Sequence, residues 1–212
     1  MENKMKKYEF TGETIIIGER TLHRIRAVRD FGDVKAGDVG GWIEKEENLS
    51  HEGYCWVRDN AKVYGTATVG GSAIVRDDAT VGDSATVRDS AIVCDNAIVC
   101  NYAMVCGDAT VGGSAIVRGY AKVCDSAEVR DFATVCDDAI VEDSAKVCDN
   151  AIVCNYAMVC DNATVGGSAI VRDDATVGDS ATVRDSAIVC DDALVCDDAT
   201  VGGTTIVGDG VK

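Results

Sequence analysis

The sequence contains no proline and only two histidines among its 212 residues, and aromatic residues make up 5% of it. So few large side chains favour a narrow core filled by small aliphatic residues. No stretch approaches the roughly 20 apolar residues that a membrane-spanning helix needs. The basic start of the chain, MENKMKKYEF, is not followed by an apolar run, so it does not predict a secretory signal. These absences predict no membrane partner, and the cytoplasm is the expected location.

Basic residues are also scarce, with 20 Lys and Arg against 36 Asp and Glu, and the net charge is −16. Phosphate contacts need a basic footprint, so direct binding of nucleic acid is not expected. The same charge allows a different role, because rows of carboxylates can imitate nucleic acid and compete for a basic groove. An acidic mimic that inhibits a basic protein partner is therefore one alternative.

A valine occurs at every sixth position from Val57 to Val207, which makes 26 valines without a gap. Alanine follows four residues later in nearly every unit, as in VGDSAT, VRDSAI and VCDNAI. Six residues hold three strand alternations, so valine and alanine point the same way and the residues beside valine point the other way. The other two places are rich in Asp, Asn, Gly and Ser, which are typical of corners. The pattern predicts a coil with three flat sides that buries valine and alanine.

These units resemble the hexapeptide repeat of left-handed parallel β-helices, in which an aliphatic residue is followed four positions later by a small one. The resemblance implies an all-β, three-sided, left-handed solenoid of about eight to nine coils over residues 51–212, with 18 residues in each turn. The stretch RDFGDVKAGDVGGWIEKEENLSHEG also resembles the amino-terminal region of YdcK-like hexapeptide-repeat proteins of bacteria and their phages. Residues 1–50 are predicted to form a small β cap over the first coil, and a recognition domain is the alternative.

Assigning the units to three sides in rotation places a column of isoleucines on one side, with tyrosines along one of its edges. The column and the edge comprise Ile98, Ile116, Ile152, Ile170, Ile188 and Ile206, and Tyr102, Tyr120 and Tyr156. A flat apolar stripe usually marks a contact surface, although isoleucine also favours strands in general. The main functional prediction is a non-catalytic structural or interaction protein. It would form a homo-oligomer through this side, or an end-to-end assembly through an open coil at the carboxyl end.

Ten of the 11 cysteines directly follow a valine, where side chains are predicted to point outward, whereas Cys55 takes a buried alanine position. On an 18-residue turn, Cys106 lies next to Cys124 and Cys136 next to Cys154. Parallel side chains in register hold their Cβ atoms about 4.8 Å apart, so a disulfide would be strained. Free surface thiols are therefore predicted at these four positions. Zinc has weak support because no CxxC pair or nearby histidine accompanies them, and no cofactor is expected.

Corner aspartates form a second column at 18-residue intervals, made of Asp125, Asp143, Asp161, Asp179 and Asp197. In turns, an aspartate carboxylate ordinarily accepts hydrogen bonds from local backbone amides, and this role is predicted for the column. Cation binding between coils is the weaker alternative, since hard cations prefer carboxylate oxygens.

Many hexapeptide-repeat proteins are acyltransferases, and the resemblance implies that such an enzyme would use a histidine base in a groove between subunits. Here the histidines are His23 and His51, both before the regular coils, and no loop interrupts the six-residue register. A general base cannot be placed on the coils from these residues. An acyltransferase-like enzyme is therefore the third functional alternative.

Overall fold

Each six-residue unit forms one short strand, because the residue before valine and the valine itself lie in extended backbone. The computed structural model describes residues 6–208. The first five residues of the predicted cap (1–50) and the last four of the predicted solenoid (51–212) lie outside the described residues. Three strands come first: β1 is Tyr8–Ile17, β2 is Arg20–Ala27 and β3 is Val39–Ile43. A 3-10 helix follows at Glu46–Asn48. Strand β4 is Trp56–Val57, and each later strand is the equivalent pair six residues on, ending with β29 at Ile206–Val207.

The strands of every third unit pair in parallel and build three sheets. The first sheet has 12 strands and contains β1, β2, β3, β5 and then every third strand to β29. The second runs from β4 to β28 with nine strands, and the third runs from β6 to β27 with eight. The prediction of an all-β, three-sided solenoid of about nine coils is confirmed. The architecture is consistent with the hexapeptide-repeat left-handed β-helix that the resemblance implies.

The core is a stack of valines and alanines. Every repeat valine from Val57 to Val189 and every repeat alanine from Ala61 to Ala187 is buried. Along the walls, the N–H of the residue before a valine donates to an alanine carbonyl of the next coil, as from Ile98 N to Ala115 O at 2.9 Å. A valine that lines up with valines above and below it gains contacts without any change in backbone register.

The corners have left-handed backbone at the second residue after each valine. Aspartate, asparagine or glycine occupies this position, for example Asp161 with φ 56° and Gly167 with φ 67°. These residue types tolerate positive φ better than others. The composition of the corners thus follows from the backbone conformation that each corner needs.

The amino-terminal strands extend the first sheet beyond the first coil. Strands β1 and β2 pair antiparallel, β2 pairs with β3, and β3 then pairs in parallel with β5. Trp42 N donates to Ala61 O at 2.9 Å, which satisfies a carbonyl that an uncovered coil would leave open. Gly41 permits this approach, because a Cβ there would lie 2.6 Å from the same carbonyl oxygen. Tyr8, Ile25 and Ile43 are fully buried in a core continuous with that of the coils.

Within residues 6–208, no helix has both the length and the apolar character needed to cross a bilayer.

Candidate functional site

The predicted isoleucine column lies on the first sheet, and we call its outward surface the isoleucine face. Ile98 pairs with Ile116, and Ile152 pairs with Ile170, on adjacent strands. Ile188 pairs with Ile170 on one side and with Ile206 on the other. The structure therefore brings the six isoleucines together in one column, which is interrupted at Thr134.

Side-chain exposure on the isoleucine face is substantial for residues of this type. Ile98 is 39% exposed, Ile152 37% and Ile206 53%, whereas Ile116, Ile170 and Ile188 are partly buried by their neighbours in the column. Exposed isoleucine side chains are stabilised when they are removed from water, so an extended column of them favours a contact surface. Self-association through it stays a prediction.

Aromatic side chains border the isoleucine face along both edges. Tyr102 and Tyr120 stack with ring centroids 4.9 Å apart and planes 5° from parallel, and Tyr156 lies two coils beyond Tyr120 on the same edge. All three are more than half exposed. The sequence reasoning overlooked Phe132, which is 67% exposed at the corner between β16 and β17 and therefore borders the opposite edge. Its place in the six-residue register was the signal that could have found it.

The stacked cysteines differ from the prediction. Cys106 and Cys124 form a disulfide between neighbouring coils, with Cα atoms 4.7 Å apart, so the prediction of free thiols is wrong for this pair. The reason is that sulfur extends beyond Cβ, and two side chains in register can turn their sulfurs toward each other. Cys136 and Cys154 are free thiols. Cys136 is buried rather than at the surface, where it was predicted, and Cys154 is partly exposed.

Most of the thiols lie against the aspartate that follows them in sequence. Cys136 Sγ donates to Asp137 Oδ2 at 3.5 Å, and Cys94 Sγ donates to Asp95 Oδ2 at 3.4 Å. Burial, together with the neighbouring carboxylate, raises the pKa of Cys94 and that of Cys136 to about 11. A thiol protonated in this way is a poor nucleophile at neutral pH. These cysteines therefore do not resemble activated catalytic thiols.

The predicted aspartate column is stacked at one corner, and its carboxylates have partners. Asp143 Oδ2 accepts from Asp161 N at 3.2 Å, Asp161 Oδ2 from Asp179 N at 3.1 Å, and Asp179 Oδ2 from Asp197 N at 3.0 Å. The predicted role of binding backbone amides is thus present, but the amide belongs to the next coil, 18 residues on, rather than to the local turn. Asp125 shares the left-handed corner conformation with φ 58°. Cation binding by this column stays a prediction.

Both histidines lie before β4. His23 is in β2 with its ring 4.9 Å from that of Phe10, and His51 stacks on Tyr8 at 4.4 Å. His51 Nδ1 accepts from Lys7 N at 3.1 Å, so a neutral imidazole carries its proton on Nε2. Burial lowers the pKa of His51, which favours this neutral form. In this form neither ring nitrogen of His51 has a free lone pair with which to abstract a proton.

Comparison with known proteins adds one relative. No protein-family model matches the chain. A stretch of 49 residues is 49% identical to a protein of Escherichia coli (strain K12) described as "Uncharacterized acetyltransferase YdcK". The chain is similar to YdcK over this stretch. The stretch makes up 23% of this chain and spans only 15% of the length of YdcK, so the recognition of a YdcK-like protein is confirmed over that part. The acetyltransferase description belongs to YdcK.

Proposed function

We propose that this protein is a non-catalytic structural or interaction solenoid that self-associates through the isoleucine face. The observation that carries the proposal is the column of paired isoleucines on a flat parallel sheet, bordered by exposed aromatic side chains. Burying exposed isoleucine and tyrosine against a second copy stabilises an interface by roughly 25 cal/mol for each Å² of apolar surface removed from water.

The outward surfaces of the three sheets differ, which supports association through one specific side of the prism rather than non-specific hydrophobic association. The outward positions of the second sheet are Trp56, Ile74 and Ile92 in its first three strands, followed by Thr110, Glu128, Lys146 and Thr164 in the next four. Charged and threonine side chains at these four positions stay hydrated. An interface between copies therefore has one preferred side of the prism, and a flat side that meets its own equivalent would give a closed dimer.

The decisive experiment uses an internal duplication. The sequence GGSAIVRDDATVGDSATVRDSAIVCD begins at Gly70 and again at Gly166. In the second copy Ile170 and Ile188 lie on the isoleucine face, whereas in the first copy Ile74 and Ile92 lie on the second sheet. Ile170→Lys with Ile188→Lys is thus matched by Ile74→Lys with Ile92→Lys, two pairs of substitutions in identical local sequence on different sides.

The mass of each protein would be measured by light scattering over a range of concentrations and salt. We expect the unsubstituted chain to form discrete oligomers, the Ile170 and Ile188 variant to fall to the monomer mass of 22.2 kDa, and the control to remain associated. Equal dissociation of both variants would contradict a role for the isoleucine face. A strict monomer under all conditions would refute self-association and favour the acidic mimic. Filaments that persist in both variants would favour end-to-end stacking of coils instead.

Acyl transfer is a second candidate because the relative is described as an acetyltransferase. The test is to incubate the chain with acetyl-CoA and amine or hydroxyl acceptors and to follow acetylated product by mass spectrometry. The hydrogen bond that Lys7 N donates to His51 argues against His51 as a base. Turnover that is lost in His51→Ala but kept in His23→Ala would overturn that argument and the non-catalytic proposal with it.

A further inference from the structure

Two pairs of cysteines follow valines that are paired on neighbouring coils of the described chain. One pair is the Cys106–Cys124 disulfide. The other follows Val135 and Val153, which pair in register between β17 and β20. Cys136 and Cys154 in this second pair remain thiols. The same stacking thus supports a covalent bond in one place and two neighbouring thiols in another.

A carboxylate lies beside both sulfurs of the second pair. Asp137 follows Cys136 and Asn155 follows Cys154, whereas in the disulfide pair Gly107 follows Cys106 and Asp125 follows Cys124. Cys136 Sγ, Cys154 Sγ and a carboxylate oxygen of Asp137 all lie within 4.8 Å of one another. The second pair therefore has a third ligand atom next to its two sulfurs.

Charged groups of both signs surround the second pair. Arg118 occupies the equivalent position one coil before Cys136, and Arg172 occupies it one coil after Cys154. Burial raises the pKa of both thiols, the Asp137 carboxylate raises it further, and each guanidinium opposes these effects. The equivalent positions beside the disulfide pair hold Arg88 and Glu142, so the flanking charge there is mixed.

We propose that Cys136, Asp137 and Cys154 bind a thiophilic divalent cation of the zinc and cadmium class. Two thiolates and one carboxylate provide three ligands of the kind that zinc takes, and water can complete a tetrahedral set because Asp137 is exposed. Metal–sulfur bonds of about 2.3 Å need donor atoms roughly 4 Å apart, so small side-chain rotations close the site. Binding breaks two S–H bonds, forms two metal–sulfur bonds and releases two protons to solvent, and no electron is transferred.

Two other clusters provide a comparison within the molecule. They consist of Asp77, Cys94 and Asp95, and of Asp131, Cys148 and Asp149. Each contains one thiol and two carboxylates, which makes it a harder ligand set than the site with two thiols. Thiophilic cations should therefore occupy the site at Cys136 first.

The experiment titrates Cd²⁺ into the reduced, metal-free full chain carrying Cys106→Ser and Cys124→Ser, which removes the other stacked pair. Thiolate-to-cadmium charge-transfer absorbance reports ligation, and competition with a chelator gives the affinity for Zn²⁺. In this background, Cys136→Ser with Cys154→Ser should abolish the first equivalent of absorbance, and Asp137→Asn should weaken binding about tenfold. Cys190→Ser is the matched control, since Cys190 is buried on the same side and bonds to Asp191 at 3.3 Å but has no stacked thiol.

As long as pH stays below the thiol pKa values, the apparent affinity should rise by up to about a hundredfold for each unit by which pH increases, because two protons are displaced. A structural role of the thiols alone would not produce this dependence. Cadmium binding that is unchanged by Cys136→Ser with Cys154→Ser, or reduced equally by Cys190→Ser, would overturn the proposal. A reduced chain that binds no cadmium would overturn it as well.

Discussion

Substitution of Asp161 tests how the corners hold adjacent coils together. Its backbone has φ 56°, and its carboxylate accepts from Asp179 N at 3.1 Å in the next coil. Asp161→Gly removes the hydrogen bond but keeps an easy left-handed conformation, which should lower the free energy of unfolding by about 1 kcal/mol. Asp161→Ala keeps the Cβ in the left-handed region but loses the short polar side chain that makes this conformation tolerable for aspartate, so its total loss should be about 2 to 3 kcal/mol. Asp161→Asn keeps an acceptor and tolerates the conformation, so its loss should be smallest.

The assay combines two measurements. Urea unfolding gives the order of stability, with Asn above Gly and Gly above Ala. Hydrogen exchange at the amide of Asp179 reports the broken hydrogen bond directly, and it should accelerate in both Gly and Ala variants by about fivefold to tenfold. Asn162→Ala, at the neighbouring corner position, serves as the control and should change neither measurement appreciably. Equal stability of the Gly and Ala variants would refute the conformational part of the reasoning, and unchanged exchange at Asp179 would refute the hydrogen-bonding part.

Two further predictions concern the thiols and the joint with the amino-terminal strands. The free energy of unfolding should fall as pH rises from about 9 to about 11. Thiols ionise at their ordinary pKa of 9.0 in the unfolded chain, whereas Cys94 and Cys136 have pKa values of about 11 in the folded chain and stay protonated there. Ionisation over this range therefore favours the unfolded chain. Urea midpoints across this range would measure the loss, and Cys94→Ser should make it shallower; an unaltered pH profile would contradict the role of burial. Gly41→Ala should lower the free energy of unfolding by about 2 to 3 kcal/mol, since its Cβ would lie 2.6 Å from Ala61 O. Thermal unfolding would measure this, with Gly70→Ala as a control because a Cβ there meets nothing within 4 Å.

The architecture could be predicted from sequence periodicity because each part of the six-residue unit has one physical role. Valine and alanine point inward, the corner residues accept positive φ, and the 18-residue turn places Ile98 beside Ile116. The isoleucine column and its tyrosine edge follow from this arithmetic alone. No side-chain conformation had to be known to predict them.

The remaining features depend on side-chain conformations, which a period does not specify. Whether two stacked sulfurs bond depends on how each side chain turns, and the period is the same for Cys106 and for Cys136. The buried ammonium group of Lys7 is a similar case. It donates to Cys55 O at 2.8 Å and lies 4.9 Å from the ring of Phe31, although the surrounding sequence is polar. Such contacts join distant segments, and only the folded chain brings them together.

The 18-residue pairing of the walls makes the length of an insertion decide its geometry. Adding 18 residues would translate everything after it by one step along the prism, whereas adding six would also turn it by one side. The second copy of the duplicated segment begins 96 residues after the first, at Gly166 rather than Gly70, which is five full turns plus one unit. The same peptide therefore presents Ile74 on one side and Ile170 on another. In this fold a duplication can build a new surface from an old sequence without a single substitution.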